Sequence, residues 1–496
     1  MGIVQKDAFR TMLISYIGIA LGYLNKGLLF LIILTTEQIG LINLIYSLGI
    51  LFAQMANFGA LFTTWKFLPF FKNTEKKHHG FLPFILLIVF IGIVIFTLLT
   101  LFFQKEIQSF YSEKSKLFNE YYLWVLPIGI SYVLYMIFEV YLRAFYKNIF
   151  TAFALEIVLR IALTLLLFLL WFQQITFHSF VILHSLIYII PTMLLVIYLK
   201  KMNEFNLNFS TISISKKFKK IIIQYSAYNY INTLGVVLVN SLDVIMLAQI
   251  IGLKGTGIYS TTIFLASAIQ VPYKSLIKIS APLVSDHWKH REFSKMKELY
   301  QKVSSVSLFI GFFTFIPIWL NIDFLFSFLK PEFHEGKWVF LFIMVGRLLD
   351  MYFGLNGSIF STSKKYKFDI FFTLFLIGTV FGLNLLFIPK WGITGAAIST
   401  SFALIFYNIG RLIFVWYVYK MHPFTKHQFI ILLLAFISLL IGHFISKLPF
   451  SNWQMVVAQC VTFFGLFVAP VYLFKLEIEV LTYLKKGRNF ISSHRK

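Results

Sequence analysis

Residues 240–262 read NSLDVIMLAQIIGLKGTGIYSTT: an apolar run holding one acid, Asp243, a break with Gly252, Gly255 and Gly257, then a second apolar run. About 217 residues earlier, residues 25–45 read NKGLLFLIILTTEQIGLINLI, with Lys26 where Asp243 falls and Gly40 where Gly257 falls. Within a residue or two, the same offset matches Leu166-Leu167-Phe168 to Leu385-Leu386-Phe387 and Ile175-Thr176 to Ile393-Thr394. One offset held over that distance points to two halves of one design. At the corresponding position one half carries a cation and the other an anion, each inside a hydrophobic segment.

The rest of the composition fits this pattern. The chain has 496 residues, 59% hydrophobic, 19% aromatic and only 13% charged. Its mean hydropathy is +0.80, and its 60 phenylalanines could not be hidden in one soluble core. The apolar runs are about 20 residues long, the length a helix needs to cross roughly 30 Å of hydrocarbon. The fold class expected is therefore an all-α polytopic membrane protein. The lone Cys460 excludes an intrachain disulfide framework and a thiolate cluster. The opening MGIVQKDAFRTM has no small-residue cleavage site, so its first apolar run reads as a retained helix.

Helices are expected at 12–34, 40–63, 81–103, 121–142, 151–172, 177–199 and 221–249, then at 256–281, 303–322, 338–360, 367–388, 393–418, 427–446 and 453–474. These about 14 transmembrane helices form two pseudo-symmetric six-helix lobes plus a C-terminal pair. The expected domains are an N-terminal lobe at 1–205, a basic cytoplasmic linker at 206–220, a C-terminal lobe at 221–420, and a helix pair with basic tail at 421–496.

The formal charge of +24 tempts a nucleic-acid reading, but the placement of the charges argues otherwise. With a cytoplasmic N-terminus, one side collects Lys6, Arg10, the Lys66–Lys77 cluster, Arg143, Lys147, six lysines from Lys200 to Lys220, and the basic stretch 289–302. It also collects Lys364, Lys365, Lys367, Lys420, Lys426 and the C-terminal cluster, about 30 of the 44 basic residues. The other side holds about 8. This asymmetry places both termini in the cytoplasm and leaves no charge that needs a nucleic acid. The long connection on the opposite face, 104–120, is roughly 17 residues, too short for a catalytic domain. No Gly-Lys-Ser/Thr phosphate loop is present, so the chain does not read as an ATPase.

Charges left inside the expected helices are the candidate functional groups, since each costs about 2.5–3.5 kcal/mol at mid-bilayer and must face protein or water. They are Lys26, Arg160, Lys274, Lys278, Arg347 and Arg411, with Glu139, Glu156, Asp243, Asp350 and Asp369. Glu156–Arg160 and Glu139–Arg143 are spaced i,i+4 and Arg347–Asp350 i,i+3, so each pair shares a helix face. Lys274 and Lys278 share a face of PYKSLIKISAP with no acid beside them, which calls for water, headgroups or an anionic ligand. Asp369 and Arg411 lie near helix ends, where snorkelling to the interface is expected. Lys26 and Asp243 are equivalent in the repeat, and a contact between them across a pseudo-two-fold axis would make a gate. The histidine pairs His78-His79 and His287/His290 sit in basic loops without a metal-ligand pattern, as solvated residues.

The second half carries the more specific residues: LDVIMLAQIIGLKGTGIYSTTIFLASAIQVP (242–272), FLKPEFHEG (328–336) and LNLLFIPKWGITGAAISTS (383–401). With Asp243, Gly257-Ile258-Tyr259 and the Pro389, Gly392, Ile393, Gly395, Ala396, Ala397 turn, the chain resembles the polysaccharide-flippase branch of the multidrug/oligosaccharidyl-lipid/polysaccharide exporter superfamily. The first half matches only through Gly40 and the spacing. The resemblance implies a non-enzymatic flippase that moves an undecaprenyl-pyrophosphate-linked oligosaccharide from the inner to the outer leaflet by alternating access, for surface polysaccharide biosynthesis. It places the chain in a bacterial cytoplasmic (inner) membrane as a monomer. Its partners would be the lipid-linked oligosaccharide, membrane lipids and glycan polymerase or assembly enzymes. No cofactor is implied beyond H⁺ or Na⁺ as a coupling ion.

A pyrophosphate needs positive charge in a low-dielectric cavity, so the substrate-binding candidates are Lys26, Lys274, Lys278, Arg347 and Arg411. Gating or ion coupling falls to Lys26, Asp243, Asp350, Glu156 and Arg160. Three alternatives stay open: a cation-coupled multidrug exporter of the same fold, a lipid II flippase, and a membrane glycosyl- or acyltransferase.

Overall fold

The structure is a computed structural model that describes residues 3–73, 77–209, 216–449 and 451–474. The centre of the basic linker (210–215), part of the lysine cluster after Lys72 and the basic tail beyond 474 lie outside the described residues.

Among the described residues the chain is helical, without a strand. The first compact unit is Met1–Thr261. Its membrane helices are α1 (Arg10–Ile33), α2 (Thr36–Ala56), α3 (His78–Phe102), α4 (Lys116–Ala144), α5 (Asn148–Trp171) and α6 (Phe177–Lys201). The long α7 (Lys216–Ile250) and the first turns of α8 (Leu253–Ala266) also belong to it. The sequence groups α7 with the second half, yet it packs along α2 and the short helix Ala60–Phe71. Its aromatic and polar face explains this: Tyr225 meets Phe67 edge-on, and Tyr230 donates to the Met55 carbonyl at 2.9 Å.

The second unit, Thr262–Lys496, holds α9 (Gln270–His290), α10 (Phe293–Leu320), α11 (Lys337–Phe353) and α12 (Asn356–Thr362). It continues with α13 (Asp369–Tyr419), α14 (Lys426–Ile445) and α15 (Trp453–Leu473). At 1.5 Å per residue the 51 residues of α13 would reach about 75 Å, over twice the hydrocarbon thickness. Gly392, at φ +57°, breaks it where the sequence divides 367–388 from 393–418. Among the described residues, eleven helices are long and apolar enough to cross a membrane, or twelve when the pair bent by 52° across Gly354 is taken as one span. The chain is a multi-pass membrane protein. The expected span 256–281 is not one continuous helix: a 3₁₀ turn, Ser267–Ile269, separates α8 from α9.

Polar side chains fix several helix starts. Thr35 with Gln38, Thr425 with Gln428 and Ser451 with Gln454 form reciprocal capping boxes that satisfy otherwise orphaned backbone N–H groups. The apolar core of the first unit joins Phe67, Phe81, Val133, Phe138, Tyr141 and Leu195. That of the second joins Val284, Tyr300, Ile359, Phe360 and Val415.

The 217-residue repeat has a counterpart in the backbone of the first unit. A Cβ on Gly40 would strike the Leu253 carbonyl and the Gly257 amide, and a Cβ on Gly257 would strike the Thr36 carbonyl and the Gly40 amide. Thr36 and Leu253 are themselves 217 residues apart, so equivalent residues meet reciprocally where α2 crosses α8. Only glycine lets two backbones approach this closely.

Candidate functional site

Most of the charged residues inside the helices lie in two groups, one in each unit, while Asp243 is held by Tyr259 and Glu139 pairs with Arg143. In the first unit α1 and α5 each contain a π-helical turn, Tyr23–Leu29 and Ala154–Val158, and these carry Lys26 and Glu156. Gly18 and Gly22, one turn apart on α1, leave bare backbone against which Glu156 and Arg160 of α5 lie; a Cβ at either glycine would collide with them. Glu156 and Arg160 close their expected pair at 2.5 Å, and Arg160 also donates to the Gly18 carbonyl. Asn25 donates to the Arg160 carbonyl at 2.8 Å and accepts from Thr164 at 2.7 Å, tying α1 to α5 beside Lys26.

Among the described residues Lys26 makes no ion pair. Its ammonium sits over the Tyr46 ring, 4.9 Å from the centroid, where the ring's negative face partly compensates the charge. The Tyr46 ring in turn lies 5.9 Å from Tyr188, and Tyr188 lies 5.8 Å from the ring of buried His184. The contact expected between Lys26 and Asp243 is not formed. Buried Asp243 accepts a hydrogen bond from Tyr259 instead.

In the second unit the 3₁₀ turn before α9 delivers Gln270 as the first residue of the helix, and Lys274 and Lys278 follow at i+4 and i+8 on the same face. On α11, Gly346 lets Ser401 of α13 approach the helix, and the next residue is Arg347. The expected i,i+3 pair of Arg347 and Asp350 is not closed directly. Arg347 Nη1 donates to the Gln270 carbonyl oxygen at 2.5 Å, and the Gln270 amide nitrogen donates to Asp350 at 3.3 Å. The other Asp350 oxygen accepts from Asn408 at 3.0 Å, and Asn408 accepts from Asn356 at 3.2 Å. Exposed Lys274 lies within electrostatic reach of Arg347, Lys278 and Asp350, and among the described residues neither Lys274 nor Lys278 forms an ion pair with an acid.

Arg411 and Asp369, both on α13, meet each other. Arg411 Nη2 and Nε, half-buried, donate to one oxygen of buried Asp369 at 2.5 and 3.0 Å, and the guanidinium stacks 4.2 Å from the Tyr407 ring centroid. Of the five substrate-binding candidates, Arg411 is the one already neutralised.

The histidines also differ from expectation. His78 is buried, not solvated: its Nδ1 accepts from the Asn73 amide at 3.0 Å and its Nε2 meets Glu204 at 2.5 Å. His287 pairs with Glu292 at 2.9 Å and His290 with Asp286 at 3.3 Å. Hydrogen bonds from the Lys295 ammonium and from His287, the first the larger cause, hold the half-exposed Glu292 carboxyl below its ordinary pKa. Among the described residues no three His, Cys, Asp or Glu side chains gather as metal ligands. Sequence reasoning missed Tyr46, Tyr188, His184 and Gln270. Only the position of Gln270 beside Pro272, ahead of the two unpaired lysines, hinted at a role.

With this geometry established, similarity to known proteins narrows the reading. No protein-family profile matches the chain. An uncharacterised membrane protein of Methanocaldococcus jannaschii is 24% identical over 417 residues, covering 78% of this chain and 80% of the relative. The lipid II flippase MurJ, in an inward closed conformation, superposes with a TM-score of 0.73 at 15% identity, covering 94% of this chain and 99% of MurJ. An inward-facing multidrug-resistance MATE family transporter of the MOP superfamily superposes at 0.63 with 13% identity, covering 81% and 94%. This chain has their fold. These structural neighbours are transporters and flippases, not enzymes. Within this fold, each unit carries cations that pair with no acid side chain among the described residues.

Proposed function

We propose that the protein is a flippase for an undecaprenyl-pyrophosphate-linked oligosaccharide, moving it from the inner to the outer leaflet by alternating access for surface polysaccharide biosynthesis. The observation that carries this reading is the uncompensated positive charge in both clusters. Lys26 rests on a tyrosine ring with no acid partner, and Lys274, Lys278 and Arg347 face a single carboxylate already occupied by amide donors. Such cations suit a diphosphate, whose charge-assisted hydrogen bonds strengthen in a low-dielectric site while a polyprenyl tail stays in lipid. Tyr46 and Tyr188 offer aromatic faces for the first sugars. Arg160 and Glu156 shape the first cluster as a closed pair, and Asp350 and Asp243 are the acids placed to carry a coupled H⁺ or Na⁺. The lysine asymmetry supports a bacterial cytoplasmic membrane location with both termini inside.

A deletion strain assayed for surface polysaccharide and for lipid-linked oligosaccharide on the cytoplasmic leaflet tests this. Loss of the first with build-up of the second is expected. Normal glycan with heightened sensitivity to cationic drugs would instead favour an exporter, the activity named for the MATE neighbour. Arrested peptidoglycan synthesis with intact surface glycan would favour lipid II.

A further inference from the structure

We infer that Gln270 is a positioning residue that keeps the Arg347 guanidinium available to a diphosphate by holding it off Asp350. The inference rests on the anion-binding reading above.

The sequence places Arg347 and Asp350 three residues apart on α11, close enough to collapse into a direct pair. In the structure they do not. One primary amide stands between them, its oxygen on Arg347 Nη1 and its nitrogen on Asp350, so each end of the Gln270 amide satisfies one charge without cancelling it. The second Asp350 oxygen is taken by Asn408, whose own oxygen is oriented by Asn356. Neutral donors thus occupy both carboxylate oxygens. Among the described residues, Arg347 Nε and Nη2 meet no hydrogen-bond acceptor.

A guanidinium in direct contact with a carboxylate would present little net field to a ligand, as Arg411 with Asp369 does in the same unit. Separated by an amide, Arg347 keeps a free fork of donors of the kind that grips phosphoryl oxygens two at a time. The lysines extend the same surface, because Gln270, Lys274 and Lys278 follow one another along one face of α9. The 3₁₀ turn that interrupts the expected helix at 267–269 starts α9 at Gln270 and so sets that register.

The test is a double-mutant cycle on the full-length protein in nanodiscs, with undecaprenyl diphosphate as the probe and inorganic pyrophosphate as competitor. Gln270→Ala should weaken binding about tenfold, because Arg347 closes onto Asp350. Asp350→Asn should tighten it, and Gln270→Ala added to Asp350→Asn should cost less than about threefold, because no carboxylate remains to capture Arg347. Gln270→Glu should bind worse than Gln270→Ala. A merely structural glutamine would lose the same factor with Asp350 or without it, and equal losses in the two backgrounds would overturn the inference, as would a Gln270→Ala protein that binds like wild type. Melting temperatures identify any variant weakened by misfolding, and Gln270→Met, similar in shape without the amide, then takes the place of alanine in the cycle. If the wild-type protein does not bind the probe, the anion-binding reading falls and this inference with it. If Lys274→Ala weakens binding and Gln270→Ala does not, only this inference falls.

Discussion

The two charged clusters handle the same problem in opposite ways. In the first unit, acid and base close a direct pair: Glu156 and Arg160 sit one turn apart on α5 and meet at 2.5 Å against the bare backbone of Gly18 and Gly22. What remains is one cation, Lys26, eased by an aromatic ring. In the second unit, Arg347 and Asp350 are kept apart by a glutamine, and two lysines stand beside them unpaired. A direct pair makes a charged residue tolerable inside a membrane protein but removes it as a ligand. An amide spacer or a ring face tolerates the charge and preserves it. The comparison teaches that counting cations in the helices overstates the binding surface, since Arg160 and Arg411 are spent on carboxylates and Lys26, Lys274, Lys278 and Arg347 are not.

The largest effect should come from breaking a closed pair. Asp369→Asn leaves the half-buried Arg411 guanidinium without its carboxylate, and should lower stability by about 3 kcal/mol, read as a melting-temperature drop in detergent. An unchanged melting temperature would mean that Tyr407 alone supports the charge. Next is the lone cation. Lys26→Ala should weaken undecaprenyl diphosphate binding about 10- to 100-fold, the worth of a charge-assisted contact, while Lys26→Arg keeps most of it. Equal losses in Lys26→Ala and Glu156→Gln would erase the distinction between free and paired groups.

Smaller effects are expected at the exposed lysines. Lys274→Ala and Lys278→Ala should each cost about threefold, and raised salt should shrink both losses because solvent-facing charges are screened. A loss at Lys278 as large as that at Lys26 would show that the second cluster closes around its ligand. The smallest expected change is the charge exchange Lys26→Asp with Asp243→Lys. Because the two residues are held separately, by Tyr46 and by Tyr259, the exchange should restore nothing lost in the single variants. Restored transport would reveal a contact made in another state of the cycle.

Much of the architecture was legible before any coordinates, through local or periodic signals. Apolar run length gave the membrane spans, and the 217-residue offset aligned Gly40 with Gly257, although only the structure showed that their backbones meet. The Glu156–Arg160 and Glu139–Arg143 pairs were readable because four residues make one helical turn. The candidate clusters were legible only as a set of charges. Nothing in the sequence near Lys26 names Tyr46, twenty residues on, as its support. Nothing near Arg411 names Asp369, and His78 gave no sign of Glu204, which reaches it from 126 residues away.

The sequence by itself determined that this is a multi-pass helical membrane protein, because the cost of placing polar backbone in hydrocarbon leaves few alternatives for runs of that length and composition. It also determined which charges had to be accommodated inside. Only the tertiary structure decided how: which cations close on carboxylates, which rest on rings, and which are held off by a glutamine. Those outcomes depend on side chains brought together from distant helices, in a low-dielectric interior where a difference of one amide between two charges decides whether either remains free to bind.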